Sequence, residues 1–269
     1  MEPIPAGAAS HYRPSRIPNR LIGSVRAAII IILTIAGPAV ADSPTSDLPT
    51  SAGSHDLEFP LADGQRLRYT LNLPHALPRD GSQTLVLVLH YGGPPSGFYG
   101  RPLIEGLIAP GLSGLDALFV APVTLGGDWK STANESAVMA LYDVLEKHYA
   151  TDSGFRIITG YSMGAAGTWH FISRYAGFFS AAIPISGFER AAKADCGAPI
   201  YALHSTADSI FDADSLRDTV ASLTAEGCDV RVSFIEGVDH FDIPAFKNLL
   251  HDTLPWLREV RAQAEGSSP

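Results

Sequence analysis

The sequence predicts an α/β fold in which helices cover both faces of a mostly parallel central sheet. Three observations lead to this prediction. Apolar, β-branched runs alternate along the chain with stretches whose apolar residues recur at helical spacing. Some runs, such as residues 84–90, are continuously apolar, as in strands buried on both faces. A chain of 269 residues that is 46% hydrophobic and 17% charged also suffices for one well-buried domain.

The N-terminal residues have the composition of an export signal. Four arginines precede an apolar run at residues 27–40, which ends in Ala39-Val40-Ala41. This pattern predicts a signal peptide over residues 1–41, and hence a secreted or periplasmic protein without stable membrane insertion after cleavage. An uncleaved anchor is the alternative, because the charged region is long. Cleavage would remove four Arg and one Glu and change the net charge from −9 to −12, which argues against nucleic-acid partners.

Composition divides the remaining chain into a flexible linker at 42–55, a folded domain at 56–262 and a disordered tail at 263–269. The predicted strands cover residues 57–61, 67–73, 84–90, 117–121, 155–159, 181–186, 200–204 and 230–235, and the first two form a hairpin around Asp63-Gly64. The predicted helices cover residues 135–149 with Asn134 as N-cap, 165–175, 214–225 and a closing segment interrupted by Pro244 and Pro255.

Two connections bear on access to a site. Residues 94–114 are rich in Gly and Pro, which predicts an irregular segment with at most a short helix at 103–108. Only about a dozen residues separate the strands at 181–186 and 200–204, fewer than a lid subdomain needs. The sequence therefore predicts no large cap domain and an open site.

The pentapeptide Gly160-Tyr161-Ser162-Met163-Gly164 has the G-x-S-x-G pattern of a nucleophile elbow, between a predicted strand and a predicted helix. A sharp turn would hold the serine hydroxyl out of the backbone and within reach of a base, and Gly160 and Gly164 leave room for it. Ser162 is therefore the candidate nucleophile. The alternative is a glycine-rich turn that only lets a helix pack closely on its strand.

A serine nucleophile needs a base and a carboxylate that orients the base. Among nine histidines, His240 follows the last predicted strand and fits the Ser, Asp, His chain order of such sites. Asp208 follows the preceding strand and is the expected orienting carboxylate. Asp212 and Asp214 lie near it but fit a helix start, and Asp239 adjoins the histidine too closely to face it.

Oxyanion donors are expected from the N–H of Met163 and from the turn His90-Tyr91-Gly92-Gly93, in which Gly92 is favoured and Tyr91 is the alternative. Aromatic residues are expected to contact substrate at the mouth of the site, although each could equally pack a loop. The candidates are Tyr91, Trp129 and Tyr161, with Phe98 and Tyr99 nearby.

Both cysteines, Cys196 and Cys228, lie just before predicted neighbouring strands. In an oxidising compartment this predicts a disulfide, and two buried thiols are the alternative. The sequence has no phosphate-binding loop and no metal-ligand spacing, so neither a cofactor nor a metal is expected.

The segment from Tyr161 to Trp169 resembles the elbow of the phospholipase/carboxylesterase-type α/β-hydrolases, a group that includes feruloyl-esterase-like and dienelactone-hydrolase-like enzymes. The resemblance extends over roughly residues 84–257. It implies the α/β-hydrolase fold, with Ser162 as nucleophile, Asp208 as acid and His240 as base. The chain departs from the family pattern at Tyr91, where a glycine usually follows the histidine, and this puts a phenol beside the expected substrate.

These inferences predict a secreted serine carboxylesterase that forms an acyl-enzyme on small-molecule or polymer-linked esters. A peptidase of the prolyl-oligopeptidase type is one alternative, although no propeller-like region precedes the domain. The other alternative is a catalytically silent binding protein that keeps the α/β-hydrolase scaffold.

Overall fold

The structure is a computed structural model that describes residues 48–77, 80–94, 97–189 and 197–266. All of these residues lie in one compact unit, Asp42–Pro269. The predicted signal peptide lies outside the described residues. Within them, no helix is both long enough and apolar enough to cross a membrane.

Eight strands form one sheet in the order β1-β2-β4-β3-β5-β6-β7-β8. They are β1 (Gly53–Pro60), β2 (Arg66–Leu73), β3 (Thr84–Leu89), β4 (Ala117–Pro122), β5 (Arg156–Tyr161), β6 (Ala181–Ile185), β7 (Ile200–Ser205) and β8 (Val230–Ile235). β2 runs antiparallel to both of its neighbours, and all other pairs are parallel. The predicted mostly parallel sheet is therefore confirmed.

Helices cover both faces of the sheet. They are α1 (Arg101–Leu103), a π-helical turn (Ile104–Ile108), α2 (Ala109–Gly111), α3 (Thr132–Tyr149), α4 (Met163–Arg174), α5 (Ala213–Ala225), a 3₁₀ turn (Ile243–Phe246), α6 (Lys247–His251) and α7 (Leu254–Gly266).

The side chains of β3 show how the two faces are formed. Leu85, Leu87 and Leu89 pack in the apolar cluster that contains residues of α3 and α4. Val86 and Val88 pack in the opposite cluster, with residues of the π-helical turn, α6 and α7. This alternation along one strand explains why the strand is apolar throughout, since both of its faces are buried.

The segment between β3 and β4 differs from its prediction. It is helical from Arg101 to Gly111, with the π-helical turn at its centre, although its Gly and Pro content predicted irregular chain. Pro102 and Pro110 stand in the first turns of α1 and α2, where no N–H is needed. A Cβ on Gly111 would lie 2.7 Å from Leu250, so this glycine permits close packing against α6.

Three boundaries also differ from those predicted. β1 begins at Gly53, inside the predicted linker, and α7 continues to Gly266, inside the predicted tail. The N-cap of α3 is Ser131, whose hydroxyl accepts a bond from the N–H of Asn134. Asn134 is instead buried, and its amide bonds three backbone groups of the preceding loop. That loop, which carries Trp129, is thereby tied to the start of α3.

Candidate active site

The predicted elbow has the backbone of a strained turn. Ser162 lies between β5 and α4 with φ of 56° and ψ of −115°. A Cβ on Gly160 would lie 2.3 Å from the carbonyl oxygen of Gly164, and one on Gly164 would lie 1.9 Å from that of Leu89. Neither position can hold a side chain, which explains both glycines of the motif. The turn is anchored by a 2.9 Å bond from the N–H of Ser162 to the oxygen of Ile185.

The three candidate triad residues are in hydrogen-bonding contact. His240 Nε2 lies 2.9 Å from Ser162 Oγ, and His240 Nδ1 lies 2.8 Å and 3.0 Å from the two carboxylate oxygens of Asp208. The side chains of His240 and Asp208 are 5% and 0% exposed. Because an ionised carboxylate can only accept, Nδ1 carries the proton and Nε2 accepts from the serine hydroxyl. This is the tautomer that a general base requires.

A fourth side chain, Ser186, contacts the triad and was not anticipated from the sequence. It follows β6, is fully buried and has φ of 53°. Its hydroxyl donates a 2.5 Å bond to Asp208 and lies 3.4 Å from His240 Nδ1. The following Gly187 lies against the elbow, where a Cβ would stand 2.5 Å from the oxygen of Ser162. The sequence signal that could have identified Ser186 is a serine followed by a glycine directly after a buried strand.

The four residues come from four neighbouring strands. In the order of the sheet, β5 leads to Ser162, β6 to Ser186, β7 to Asp208 and β8 to His240. The carboxyl ends of parallel strands meet at one edge of the sheet, which is where α/β proteins place their sites. The sheet therefore assembles side chains that are far apart in the sequence.

The Asp208 carboxylate is held in its charged form. Burial alone would raise its pKa, but hydrogen bonds from the Phe211 N–H, the Ser186 hydroxyl, His240 and the Ile210 N–H outweigh burial. The pKa of Asp208 is consequently lowered, and the group is a carboxylate at neutral pH.

Tyr161 does not have the predicted substrate-binding position. The residue is 1% exposed, and its hydroxyl donates a 2.7 Å bond to the carbonyl oxygen of His240. Burial raises the pKa of Tyr161 far above its ordinary value, so the phenol remains a donor. Tyr161 therefore supports the loop that carries His240, and the prediction that it contacts substrate is wrong.

The two expected oxyanion donors lie beside each other. A Cβ on Gly92 would stand 3.7 Å from the Cβ of Met163, so the turn after β3 approaches the first residue of α4. The N–H of Met163 has no acceptor within its own helix because it belongs to the first turn. Tyr99 donates a 3.3 Å bond to the oxygen of Gly92 and fixes the turn from outside.

His90 holds this turn in place. Its Nε2 accepts a 3.2 Å bond from the N–H of Thr124, so Nδ1 is the protonated nitrogen that donates 2.7 Å to the oxygen of Tyr91. The Trp129 indole donates to the carbonyl oxygen of His90 over 2.9 Å. Burial lowers the pKa of His90 to about 4, against a smaller opposing effect of the Tyr91 bond, and the ring is neutral.

A cavity of about 560 Å³ opens beside Ser162. Apolar residues form much of it, and charged residues also line it. The apolar residues include Trp129, Met163, Phe188 and Phe211. The charged residues are Asp128, Lys130, Glu189 and Asp212. Lys130 and Glu189 form a 2.9 Å ion pair. Trp129 belongs to the lining of this cavity but its side chain is buried, and Tyr91 lines a separate, smaller cavity, so the substrate contacts of both residues stay predictions.

The other sequence predictions concern metals and cysteines. Among the residues that the structure describes, no group of three or more His, Cys, Asp or Glu side chains could hold a metal ion. Cys196 lies outside the described residues, so its disulfide with Cys228 stays a prediction.

The sheet order, the elbow and the contacts of Ser162, Asp208 and His240 define an α/β-hydrolase. Residues 125–252 match the Dienelactone hydrolase family. This match and the fold confirm the resemblance noted in the sequence. No curated protein sequence matches the chain.

Solved structures share the fold at low sequence identity. A thermostable esterase is 24% identical with a TM-score of 0.62, over 77% of this chain and 62% of its own length. The fluorophosphonate-binding serine hydrolase F of Staphylococcus aureus, with substrate bound, is 12% identical with a TM-score of 0.62, over 77% of this chain and 99% of that one. A ferulic acid esterase is 14% identical with a TM-score of 0.61, over 78% and 100%. The chain therefore spans less than two thirds of the length of the thermostable esterase.

Proposed function

We propose that this protein is a serine esterase that cleaves carboxylic esters through an acyl-enzyme on Ser162. The observation that supports this most strongly is the unbroken hydrogen-bonded chain from the Ser162 hydroxyl through His240 to Asp208. Such a chain makes a hydroxyl nucleophilic because the imidazole can accept its proton and the carboxylate stabilises the resulting imidazolium.

The proposed reaction has two stages. Ser162 Oγ attacks the ester carbonyl while His240 Nε2 takes the serine proton, and the same nitrogen then protonates the departing alcohol oxygen. Water attacks the acyl-enzyme in the second stage, with His240 again accepting the proton, which releases the acid and restores the serine. The N–H groups of Met163 and Gly92 are proposed to bind the oxyanion of each tetrahedral intermediate. Loss of one such donor typically costs about 10²–10³ in kcat.

The proposed substrates are small-molecule or polymer-linked esters. The connection from β6 to β7 spans residues 186–199, which is too short for a lid subdomain over the site. The cavity beside Ser162 combines an apolar surface with charged residues, and this suits an acyl group that carries polar substituents. The likeness in fold to a ferulic acid esterase is in keeping with that kind of substrate.

Export is a further part of the proposal. The basic and apolar pattern of residues 1–41 supports a signal peptide and a secreted or periplasmic location. The predicted Cys196–Cys228 disulfide would form in such a compartment. N-terminal sequencing of the exported protein, and alkylation with and without reductant, test the two points separately.

Substitution of Ser162 by alanine tests the function. The wild-type protein should hydrolyse p-nitrophenyl acetate, and Ser162→Ala should lose about 10⁶-fold in kcat, by analogy with the serine of other triads. A fluorophosphonate probe should label wild type at Ser162 and should not label the variant. Ser173→Ala is the matched control, because Ser173 lies on the same helix and bonds only the oxygen of Trp169. Hydrolysis by Ser162→Ala at the wild-type rate would refute the proposal.

An amide with the same acyl group distinguishes the esterase from a peptidase. An esterase should cleave the ester far faster than the matched anilide, because the amine is a poorer leaving group. Comparable kcat/KM values for the two substrates would favour the peptidase instead. A folded wild-type protein that the probe does not label would favour a silent binding protein.

A further inference from the structure

A separate cavity of about 200 Å³ lies next to Phe241, the residue that follows His240. Its lining includes Tyr91, Leu103, Gly106, Phe241, Ile243 and Pro244. We propose that this cavity binds an apolar group, a single aromatic ring or a short alkyl chain, on the alcohol half of the ester. The inference rests on the proposed esterase function and names the substrate class for the same site.

Three parts of the fold that border the reaction centre form the walls of this cavity. Tyr91 belongs to the turn that carries the proposed oxyanion donor Gly92. Leu103 and Gly106 come from α1 and the π-helical turn, and Phe241 directly follows His240. The Phe241 ring lies 5.3 Å from the His240 ring, centroid to centroid. The cavity therefore adjoins the base and the oxyanion turn together.

The exposure of Phe241 also points to a ligand. Among the described residues, Phe241 at 73% and Ile210 at 58% are the large hydrophobic side chains that are exposed. Phe241 lines the smaller cavity and Ile210 lines the larger one beside Ser162. An apolar group bound in the smaller cavity would cover Phe241 and remove its ring from water.

The chemistry of acyl transfer assigns the two halves of the ester to the two cavities. The acyl group becomes bonded to Ser162 Oγ, so the cavity that holds it must include Ser162, as the larger cavity does. The smaller cavity is not lined by Ser162 but is bounded by the residues that follow His240. His240 must reach the departing alcohol oxygen to protonate it. The alcohol half therefore belongs on the side of Phe241.

The size and lining of the smaller cavity define the group that it can hold. Its lining is apolar except for the Tyr91 phenol, whereas four charged residues line the larger cavity. An apolar cavity of about 150 Å³ can hold benzene, so a cavity of this size accommodates one ring. A carboxylate or phosphate on the alcohol would lose its hydration there without an opposite charge to replace it.

Filling the cavity at Gly106 tests the assignment. A Cβ on Gly106 would have no atom within 4 Å, so the Gly106→Leu side chain can occupy the cavity without a clash at its base. The ratio of kcat/KM for benzyl acetate to that for methyl acetate should fall at least tenfold, which is the scale of discrimination by an apolar pocket. The ratio for methyl phenylacetate to methyl acetate should stay unchanged, because these two substrates differ only in the acyl group.

Gly266→Leu is the matched control, since Gly266 at the end of α7 also has open space around it. This variant should change neither ratio. Phe241→Ala provides a second variant if Gly106→Leu fails to fold, and it should lower the benzyl-to-methyl ratio in the same direction. A circular-dichroism melt establishes that each variant is folded.

An unchanged benzyl-to-methyl ratio in both folded variants would overturn the inference, and so would a fall in the acyl ratio alone. These results are distinct from failure of the proposed function. In that case the wild-type protein would hydrolyse none of the esters and would not be labelled at Ser162. A labelled and active wild type with unaltered ratios in the variants refutes only the alcohol-binding assignment.

Discussion

The hydroxyl of Tyr161 donates a 2.7 Å hydrogen bond to the carbonyl oxygen of His240. Tyr161 is the last residue of β5 and precedes the proposed nucleophile Ser162, and His240 lies in the loop after β8. β5 and β8 are separated in the sheet by two other strands. The bond therefore spans the site and ties the loop that carries the proposed base, His240, directly to the strand that precedes the proposed nucleophile, Ser162.

We expect Tyr161→Phe to lower both stability and kcat. The buried carbonyl of His240 loses its donor, which costs about 1–3 kcal/mol, and the histidine loop loses a fixed contact. Urea unfolding and ester kinetics measure the two effects. Tyr201→Phe is the control, because the Tyr201 hydroxyl pairs with Ser233 between β7 and β8 and touches no triad residue. A wild-type kcat in Tyr161→Phe would contradict a positioning role.

Ser186→Ala should raise the pKa of Asp208, since the serine hydroxyl is one of the donors that lower it. We expect kcat/KM to fall about tenfold or less and the acidic limb of the pH–rate profile to move to higher pH, because a carboxylate that has lost one neutral donor is held less firmly and takes up a proton more readily. Ser186→Gly separates the hydroxyl from the backbone, because glycine adopts the φ of 53° without strain. If glycine restores the wild-type profile, the hydroxyl has no role.

The free energy of unfolding should fall between pH 7 and pH 5, by up to about 2 kcal/mol from His90 alone. Its folded-state pKa is about 4, below the unfolded value, so the unfolded chain binds the extra proton in this range. His204, whose pKa burial also lowers, acts in the same direction. The lowered pKa of Asp208 contributes only as the pH falls below about 4.

Urea unfolding at several pH values tests this dependence. His90→Asn removes the titrating ring and should flatten the slope relative to wild type, even if the variant is less stable at every pH. A slope that is identical in His90→Asn and wild type would contradict the assignment to His90.

Gly164→Ala should abolish the folded protein. Its Cβ would lie 1.9 Å from the backbone oxygen of Leu89, and neither β3 nor α4 can yield without breaking the elbow. The cost exceeds about 3 kcal/mol, as for severe overpacking. Soluble yield and thermal melting provide the measurement. Gly266→Ala makes the same chemical change in open space at the end of α7 and should melt like wild type.

The elements that could be predicted from the sequence are those encoded in local patterns. The glycines around Ser162 indicate positions where the turn leaves no room for a side chain, and continuous apolar runs indicate buried strands. Chain order then led to Asp208 and His240, because parallel strands bring their carboxyl ends together. The sequence predicts at most a short helix at 103–108, because Pro and Gly usually break helices, whereas the structure is helical over Arg101–Gly111. Pro102 stands at a helix start and Gly111 lies against α6.

The parts of the site that escaped prediction depend on long-range hydrogen bonds. Ser186 reaches Asp208 across 22 positions, and Tyr161 reaches His240 across 79. Nothing in the residues around Ser186 or Tyr161 indicates where their hydroxyls point. Tyr161 directly precedes Ser162, but the alternation of a strand turns the two side chains to different surroundings.

The position of β8 at the edge of the sheet affects how the protein would lose activity on heating or in denaturant. β8 is the outermost strand at its end of the sheet and is only partly covered, whereas every residue of β3 is buried. Strands with little cover fray at lower free-energy cost than the centre of a domain, and His240 follows this one. On mild heating or in dilute urea, catalysis should vanish while the bulk of the molecule is still intact, with β8 amides exchanging before those of β3. Loss of ester turnover would then detect local unfolding of β8 before the rest of the domain unfolds.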